Sequence, residues 1–131
     1  MAHRLEFDVE HKILLIIHWG AVHGREIETL GDELKLRLSE LNPSAAISDF
    51  SEASAVDISS HMVRHLAMKD TTSVLRTLPR IIVAPDDHKF GLARMYEMCA
   101  YPPFVALQVV RSKKEALAEL GVRDPQFTKL V

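Results

Sequence analysis

The sequence predicts an α/β domain: one mixed sheet flanked by helices, in the order β-β-α-β-α-β-α-β-α. Three observations carry this. Leu5, Phe7 and Val9 alternate with Glu6, Asp8 and Glu10, the period of two expected of a half-buried strand. Ile13-Leu14-Leu15-Ile16-Ile17 and Ile81-Ile82-Val83-Ala84 are continuous apolar runs, as in strands covered on both faces. Between and after them, apolar residues recur at spacings of three and four, the period of helices with one buried side.

The first strand, with Leu5, Phe7 and Val9 on one face, is followed by the short polar link Glu10-His11-Lys12. A link this short favours an antiparallel pair with the second strand at residues 13–17. A helix is expected over Gly24 to Leu41, where Ile27, Leu30, Leu34, Leu38 and Leu41 form one stripe. Its acidic residues come early and its basic residues later, matching the helix dipole, and Asn42-Pro43 stops it. Gly31 costs this helix about 1 kcal/mol relative to alanine; close packing on the sheet is one reason for a glycine there. Residues 45–50 read as the third strand, and Ser59 or Ser60 starts a second helix through Met62, Val63, Leu66 and Ala67. A short helical piece fits within residues 71–78, before Pro79. The fourth strand at residues 81–84 ends at Pro85-Asp86-Asp87, and a helix follows over residues 89–99 until Pro102-Pro103. Val105, Leu107, Val109 and Val110 make the fifth strand. Ser112 with Glu115 forms a capping box for the last helix, and Gly121 ends it. Residues 1–122 are thus expected to form one domain, and residues 123–131 a tail.

Bulk properties narrow the function classes. With 131 residues and 47% apolar content, the chain can bury a core. A formal charge of -2 gives no electrostatic reason to expect nucleic acid. Cys99 is the single cysteine, so no intramolecular disulfide can form, which suits a reducing compartment. The N-terminus lacks the apolar core of a signal peptide, and the run at residues 13–17 is too short to span a bilayer. A cytoplasmic protein without a transmembrane segment is the expectation.

The polar stretch Asp49-Phe50-Ser51-Glu52-Ala53-Ser54-Ala55-Val56-Asp57-Ile58-Ser59-Ser60 is expected to be a loop leaving the third strand. The segment Asp86-Asp87-His88-Lys89-Phe90-Gly91-Leu92-Ala93-Arg94 leaves the fourth. Ligands in open α/β sheets tend to bind at such carboxyl ends, so the two segments are candidate neighbours. Asp49, Ser51, Asp57, Ser60, Asp86, Asp87 and Arg94 are the candidate ligand- or partner-binding residues.

The element order, together with particular short motifs, resembles the STAS fold of anti-sigma-factor antagonists. More closely it resembles the bacterial SpoIIAA-like family, also described as STAS/SEC14-like. The motifs are Asp49-Phe50-Ser51, Val56-Asp57-Ile58-Ser59-Ser60, Ile82-Val83-Ala84-Pro85, Phe90-Gly91-Leu92-Ala93-Arg94-Met95-Tyr96-Glu97 and Glu115-Ala116-Leu117, spread over residues 5–122. The resemblance implies a STAS-like domain with a five-stranded mixed sheet and a regulatory or binding role rather than a reaction. In the antagonists a serine at the start of the second helix is phosphorylated by a partner kinase, within a pattern of Asp, two hydroxyl residues and Gly. Here Asp57 matches the Asp, Ile58 replaces the first hydroxyl, Ser59 takes the phosphoacceptor position and Ser60 stands at the glycine.

Each candidate has a simpler reading beside the functional one. Phosphate on Ser59 would sit where a helix N-terminus favours negative charge; as a plain N-cap the same serine stabilises by roughly 1 kcal/mol. Asp49 and Asp57 suit an acid–base pair or cation site only if the chain folds back, and otherwise bond nearby amides in Asx turns. His61 and His65 have a zinc-compatible spacing, but two ligands do not close a site, so no metal or other cofactor is assigned. Asp86 or Asp87 with Arg94 reads as an anion site or as a cap and an ion pair. Phe90, Met95, Tyr96, Tyr101 and Phe104 give more apolar positions than one stripe needs, suggesting an apolar surface, a pocket mouth or a wide core face. No catalytic constellation is evident. The leading expectation is a non-enzymatic regulatory or protein-interaction module, with a homodimer expected to cover exposed apolar helices. The alternative is a carrier of a small apolar or lipid-like ligand, with an unidentified partner protein or ligand in either case.

Overall fold

The computed structural model describes residues 3–130. Six strands form one sheet in the order β5-β4-β3-β2-β1-β6. They are β1 (His3–Asp8), β2 (Ile13–His23), β3 (Ala45–Asp57), β4 (Arg80–Val83), β5 (Leu107–Val110) and β6 (Thr128–Lys129). β1 runs antiparallel to β2 and β6, whereas β2, β3, β4 and β5 are mutually parallel. The helices are α1 (Gly24–Leu41), α2 (Ser60–Asp70), α3 (Asp87–Met98) and α4 (Lys113–Leu120), with a 3-10 turn at Val74–Arg76.

The interior strands read as apolar because both faces are covered. Leu14 and Ile16 of β2 and Ala46 of β3 meet Leu30, Leu34 and Leu38 of α1 on one face. Ile13, Leu15 and Ile17, with Ala45 and Ile47, meet Ala116 of α4 on the other, where Leu117, Leu120 and Phe127 complete the cover. Burying each of the three α1 leucines contributes roughly 1.5–3 kcal/mol. Caps fix the helix ends: Ser112 Oγ accepts from the Glu115 amide, and Gly121, at φ 67, closes α4 while the Val122 amide returns to the Leu117 carbonyl.

Two expectations change. The sheet has a sixth strand because residues 128–129 lie against β1, with the Leu130 amide donating to the Leu5 carbonyl. The segment expected as a tail is therefore docked up to Leu130; Val131 lies outside the described residues. Asp8 helps hold it: its buried carboxylate accepts from the Gln126 amide and from the ring and amide of His11. Burial acts to raise the Asp8 pKa, and these bonds outweigh it and lower the carboxyl below its ordinary value.

The second change concerns residues 49–60. They are not a loop. β3 continues to Asp57, paired with an equally extended β2, and only Ile58 and Ser59 connect it to α2. Bulges between Ile17 and Trp19 and between Gly20 and Ala21 shift the register of this ribbon. The ribbon runs past the end of β4, whose pairing with β3 stops at Asp49. Mostly small and polar residues suffice there, because only Val22, Ala53 and Val56 are buried.

Candidate functional site

α1, α2 and α3 cover the same sheet face, but they do not cover it evenly. α2 packs mainly on α3, with lesser contact to α1 and the 3-10 turn, rather than on the strands. It roofs a cavity of about 130 Å³ between helices and sheet. The floor is Ile16 and His18 from β2, Ser48 and Phe50 from β3, and Arg80 and Ile82 from β4. Val63 and Leu66 line it from α2, Leu30, Gly31 and Leu34 from α1, and Leu92, Ala93 and Tyr96 from α3. Glu28, Asp32, Lys35 and Lys69 are its half-exposed charged residues.

The cavity divides the apolar core of this face. Leu14, Leu30 and Leu34 belong to one group, Ile82, Ala93 and Leu107 to a second, and Val22, Ala53 and Val56 to a third. Small residues keep the space open. Ser48 occupies a cavity-facing position of β3 where alternation would accommodate a larger side chain. Gly31 lies opposite on α1, and a Cβ built there would meet nothing within 4 Å. The expectation that Gly31 serves close packing is thus corrected: it leaves space instead. Gly24 is the residue that permits close approach, since a Cβ there would come within 2.5 Å of Met62 Cγ on α2.

Polar groups surround this apolar space. His18 is 5% exposed and stacks on Phe50, ring centroids 4.3 Å apart. Burial, with a smaller effect from His3, pushes its pKa down to about 4, so the imidazole is neutral at pH 7. At another corner the Tyr96 hydroxyl donates to Asp70 Oδ2 at 2.5 Å and accepts from Arg80 Nη2 at 2.8 Å. The Arg80 guanidinium also lies over the rings of Phe104 and Tyr96, 4.7 and 5.4 Å from their centroids. Burial raises the Asp70 carboxyl above its ordinary pKa, against the lowering effects of Tyr96 and Arg80, and burial likewise raises the Tyr96 phenol. On the α1–α2 rim, Glu28 accepts from His65 at 2.5 Å and Lys69 at 3.3 Å, and Lys69 reaches Asp32 at 2.9 Å.

The residues singled out from sequence lie mostly around this site rather than in it. Asp49 is buried on the opposite side of β3 by alternation from Ser48 and Phe50, and its carboxylate accepts from the Ser51 amide in an Asx turn. Asp57 is exposed at the far end of β3 near His23, roughly 25 Å along an extended strand from Asp49, so the two carboxylates do not form a pair. Ser51 and Ser60 are exposed. Ser59 is the N-cap of α2, its Oγ accepting from the Met62 amide at 3.1 Å. Asp86 caps α3 through the Lys89 amide and pairs with Lys89 Nζ, Asp87 pairs with Arg111, and Arg94 pairs with Glu97. These pairings absorb the charges expected for an anion site. The two segments are nevertheless neighbours, since the His88 ring lies 3.2 Å from the Val56 carbonyl.

The expected apolar surface is also redrawn. Phe90, Tyr96 and Phe104 pack inward around Ile82, Ala84, Ala93 and Leu107, and Met95 is half-buried, because α3 turns a wide side to the sheet. Tyr101 remains outside at 79% exposure, near Met98 at 76% and Val105 at 65%. His65 faces Glu28, and among the described residues no group of three or more His, Cys, Asp or Glu side chains could hold a metal ion. No helix among them is long and apolar enough to cross a membrane.

No protein-family model matches the chain, and no curated protein does. Solved structures do. The anti-sigma factor antagonist SpoIIAA in its unphosphorylated form superposes at a TM-score of 0.53 and 15% identity, over 93% of this chain and all of that one. An uncharacterised DUF3478-family protein with a SpoIIAA-like fold, from Shewanella loihica PV-4, gives a TM-score of 0.58 and 16% identity over 91% of this chain and 92% of its own. The fold is SpoIIAA-like. Identities this low speak to architecture, so the function of this SpoIIAA-like chain has to be argued from its own site.

Proposed function

We propose that this protein is a non-enzymatic regulatory module whose working element is a ligand cavity beneath α2. The observation that carries the reading is the hole itself. Protein interiors are close-packed, and voids larger than a water molecule are few. At ~24 cal/mol per Å³, 130 Å³ that side chains do not pack forgoes at most about 3 kcal/mol, and less where the cavity opens to water at its charged rim. Replacing Gly31 by a larger residue would fill part of it without meeting any atom at Cβ. A space that one larger side chain would fill, and that this chain leaves unpacked, suits a bound molecule. An apolar ring or short chain of roughly benzene size fits the volume, and the charged rim suits a ligand that enters from water. The anti-sigma factor antagonist among the similar structures supports the regulatory half of the reading at the level of fold.

Native mass spectrometry of protein gently purified from its own host tests the proposal. A co-purified small mass is expected on the wild type and not on Gly31→Leu. A wild-type chain that stays bare after exposure to host extract would count against it.

A second reading rests on Met98, Tyr101 and Val105, three large apolar side chains exposed within eight positions. They suit contact with a partner protein or a second copy of the chain. Tyr101→Glu should then abolish capture of the partner, or lower the subunit count, while leaving ligand mass unchanged.

A further inference from the structure

The floor of the cavity holds polar side chains that bond to no described residue. His18 lines the cavity, and among the described residues its ring makes no hydrogen bond. The ring stacks on Phe50, whose ring lies parallel to it within 2° and fixes its plane. Ser48 lines the same floor on the adjacent strand, in register with Ile16, and its hydroxyl likewise bonds to no described residue. His18 lies two positions beyond Ile16 on the same side, so Ser48 and His18 are near neighbours across the β2–β3 pair.

Buried polar side chains are as a rule hydrogen-bonded, and an exception needs a reason. The other three buried polar residues have theirs, although the buried Nε atoms of the less buried Arg76 and Arg80 do not: Asp8 holds His11 and Gln126, Asp49 holds Ser51, and Thr71 bonds the Met68 carbonyl. His18 is the exception among the four buried polar residues, and it faces the cavity. We infer that His18 and Ser48 form a recognition subsite that takes the neutral hydroxyl or carbonyl of an otherwise apolar ligand. This inference rests on the cavity reading above and names the chemistry of its ligand.

Both side chains can donate or accept, so together they suit an oxygen of either kind. The imidazole stays neutral at pH 7 because of its burial, so the contact is a hydrogen bond and not an ion pair. Arg80, the cationic group on the same floor, is held through Nη2 by the Tyr96 hydroxyl and by the two aromatic rings, while its buried Nε has no hydrogen-bond partner among the described residues; the benzoate comparison below separates a contact to that cation from one to the neutral groups. The surrounding walls of Ile82, Val63, Leu66 and Leu92 hold its apolar body.

Chemical-shift titrations with phenol, toluene and benzoate at pH 7 provide the test, on wild type, His18→Leu and Ser48→Ala. Phenol is expected to shift resonances around the cavity. Its dissociation constant should rise about tenfold in His18→Leu and severalfold in Ser48→Ala, the size of one lost hydrogen bond, with toluene affected less than twofold. Equal effects on phenol and toluene, or none on either, would overturn the subsite and leave the cavity reading standing. Benzoate binding tighter than phenol would overturn the neutral chemistry in favour of a charged ligand. If none of the three binds the wild type, the cavity reading fails and takes the subsite with it. Should His18→Leu not fold, Ser48→Ala decides alone.

Discussion

Acidification should destabilise this protein through His18. The ordinary imidazole pKa of 6.5 applies to the unfolded chain, and burial lowers it to about 4 in the fold. Between those values the unfolded chain binds a proton that the folded one refuses, so stability falls as pH falls. At pH 5 the loss relative to pH 7.5 is about 2 kcal/mol, and it approaches 3 kcal/mol near pH 4, taking ~1.4 kcal/mol per pKa unit. Urea denaturation at pH 7.5, 6.5, 5.5 and 5.0 reads this directly. Carboxylates and other histidines also titrate, so the comparison is with His18→Gln, which removes only this group. The stability difference between wild type and variant should shift by about 2 kcal/mol toward the variant from pH 7.5 to 5. Parallel curves for the two proteins would refute the claim that His18 is buried neutral against the cavity.

Other substitutions probe single features. Gly31→Ala should stabilise by about 1 kcal/mol in thermal or urea unfolding, because helix propensity improves and the added methyl meets open space; destabilisation would mean the site is closed. Gly24→Ala should do the opposite, since its methyl would drive into Met62 and displace the first turn of α2, seen as a lowered melting temperature and faster exchange of α2 amides. Ser59→Ala should cost about 1 kcal/mol by removing the α2 cap, and Ser59→Asp should recover most of it. Tyr96→Phe should cost roughly 1–3 kcal/mol, measured by urea unfolding, because it strips Asp70 and Arg80 of a shared partner.

Elements with strong periodicity were legible from residues alone. The α1 stripe of Leu30, Leu34 and Leu38 is buried, and Ser112 with Glu115 caps α4 as its spacing suggests. Residues 49–57 misled because Ser51, Glu52, Ser54 and Ala55 lack strand propensity. Their extended form comes from pairing with β2, a tertiary effect that local sequence does not carry. β6 is two residues long and exists because β1 offers an edge, which no pattern within residues 123–131 reveals. The pairings of the expected charged residues were partly hidden for a related reason: Asp86 and Arg94 pair within their own helix region, whereas Asp87 pairs with Arg111, which is distant in sequence.

The cavity was hidden differently. It is made of absences: a serine where β3 had room for a larger group, and a glycine inside an apolar helix stripe. Ser48 on β3, Gly31 on the helix above, and a histidine closing the β2 apolar run were visible signals. Their common meaning needs the register that places Ser48 opposite Ile16 and the helix packing that lifts α2 off the sheet.

A crystal structure under xenon pressure tests the central claim most directly. Xenon enters dry apolar cavities of this size without needing polar contacts. A xenon atom bounded by Ser48, Phe50, Gly31 and Leu66, and lost in Gly31→Leu, is the predicted result. Side chains closed over that position with no xenon among them would contradict the account.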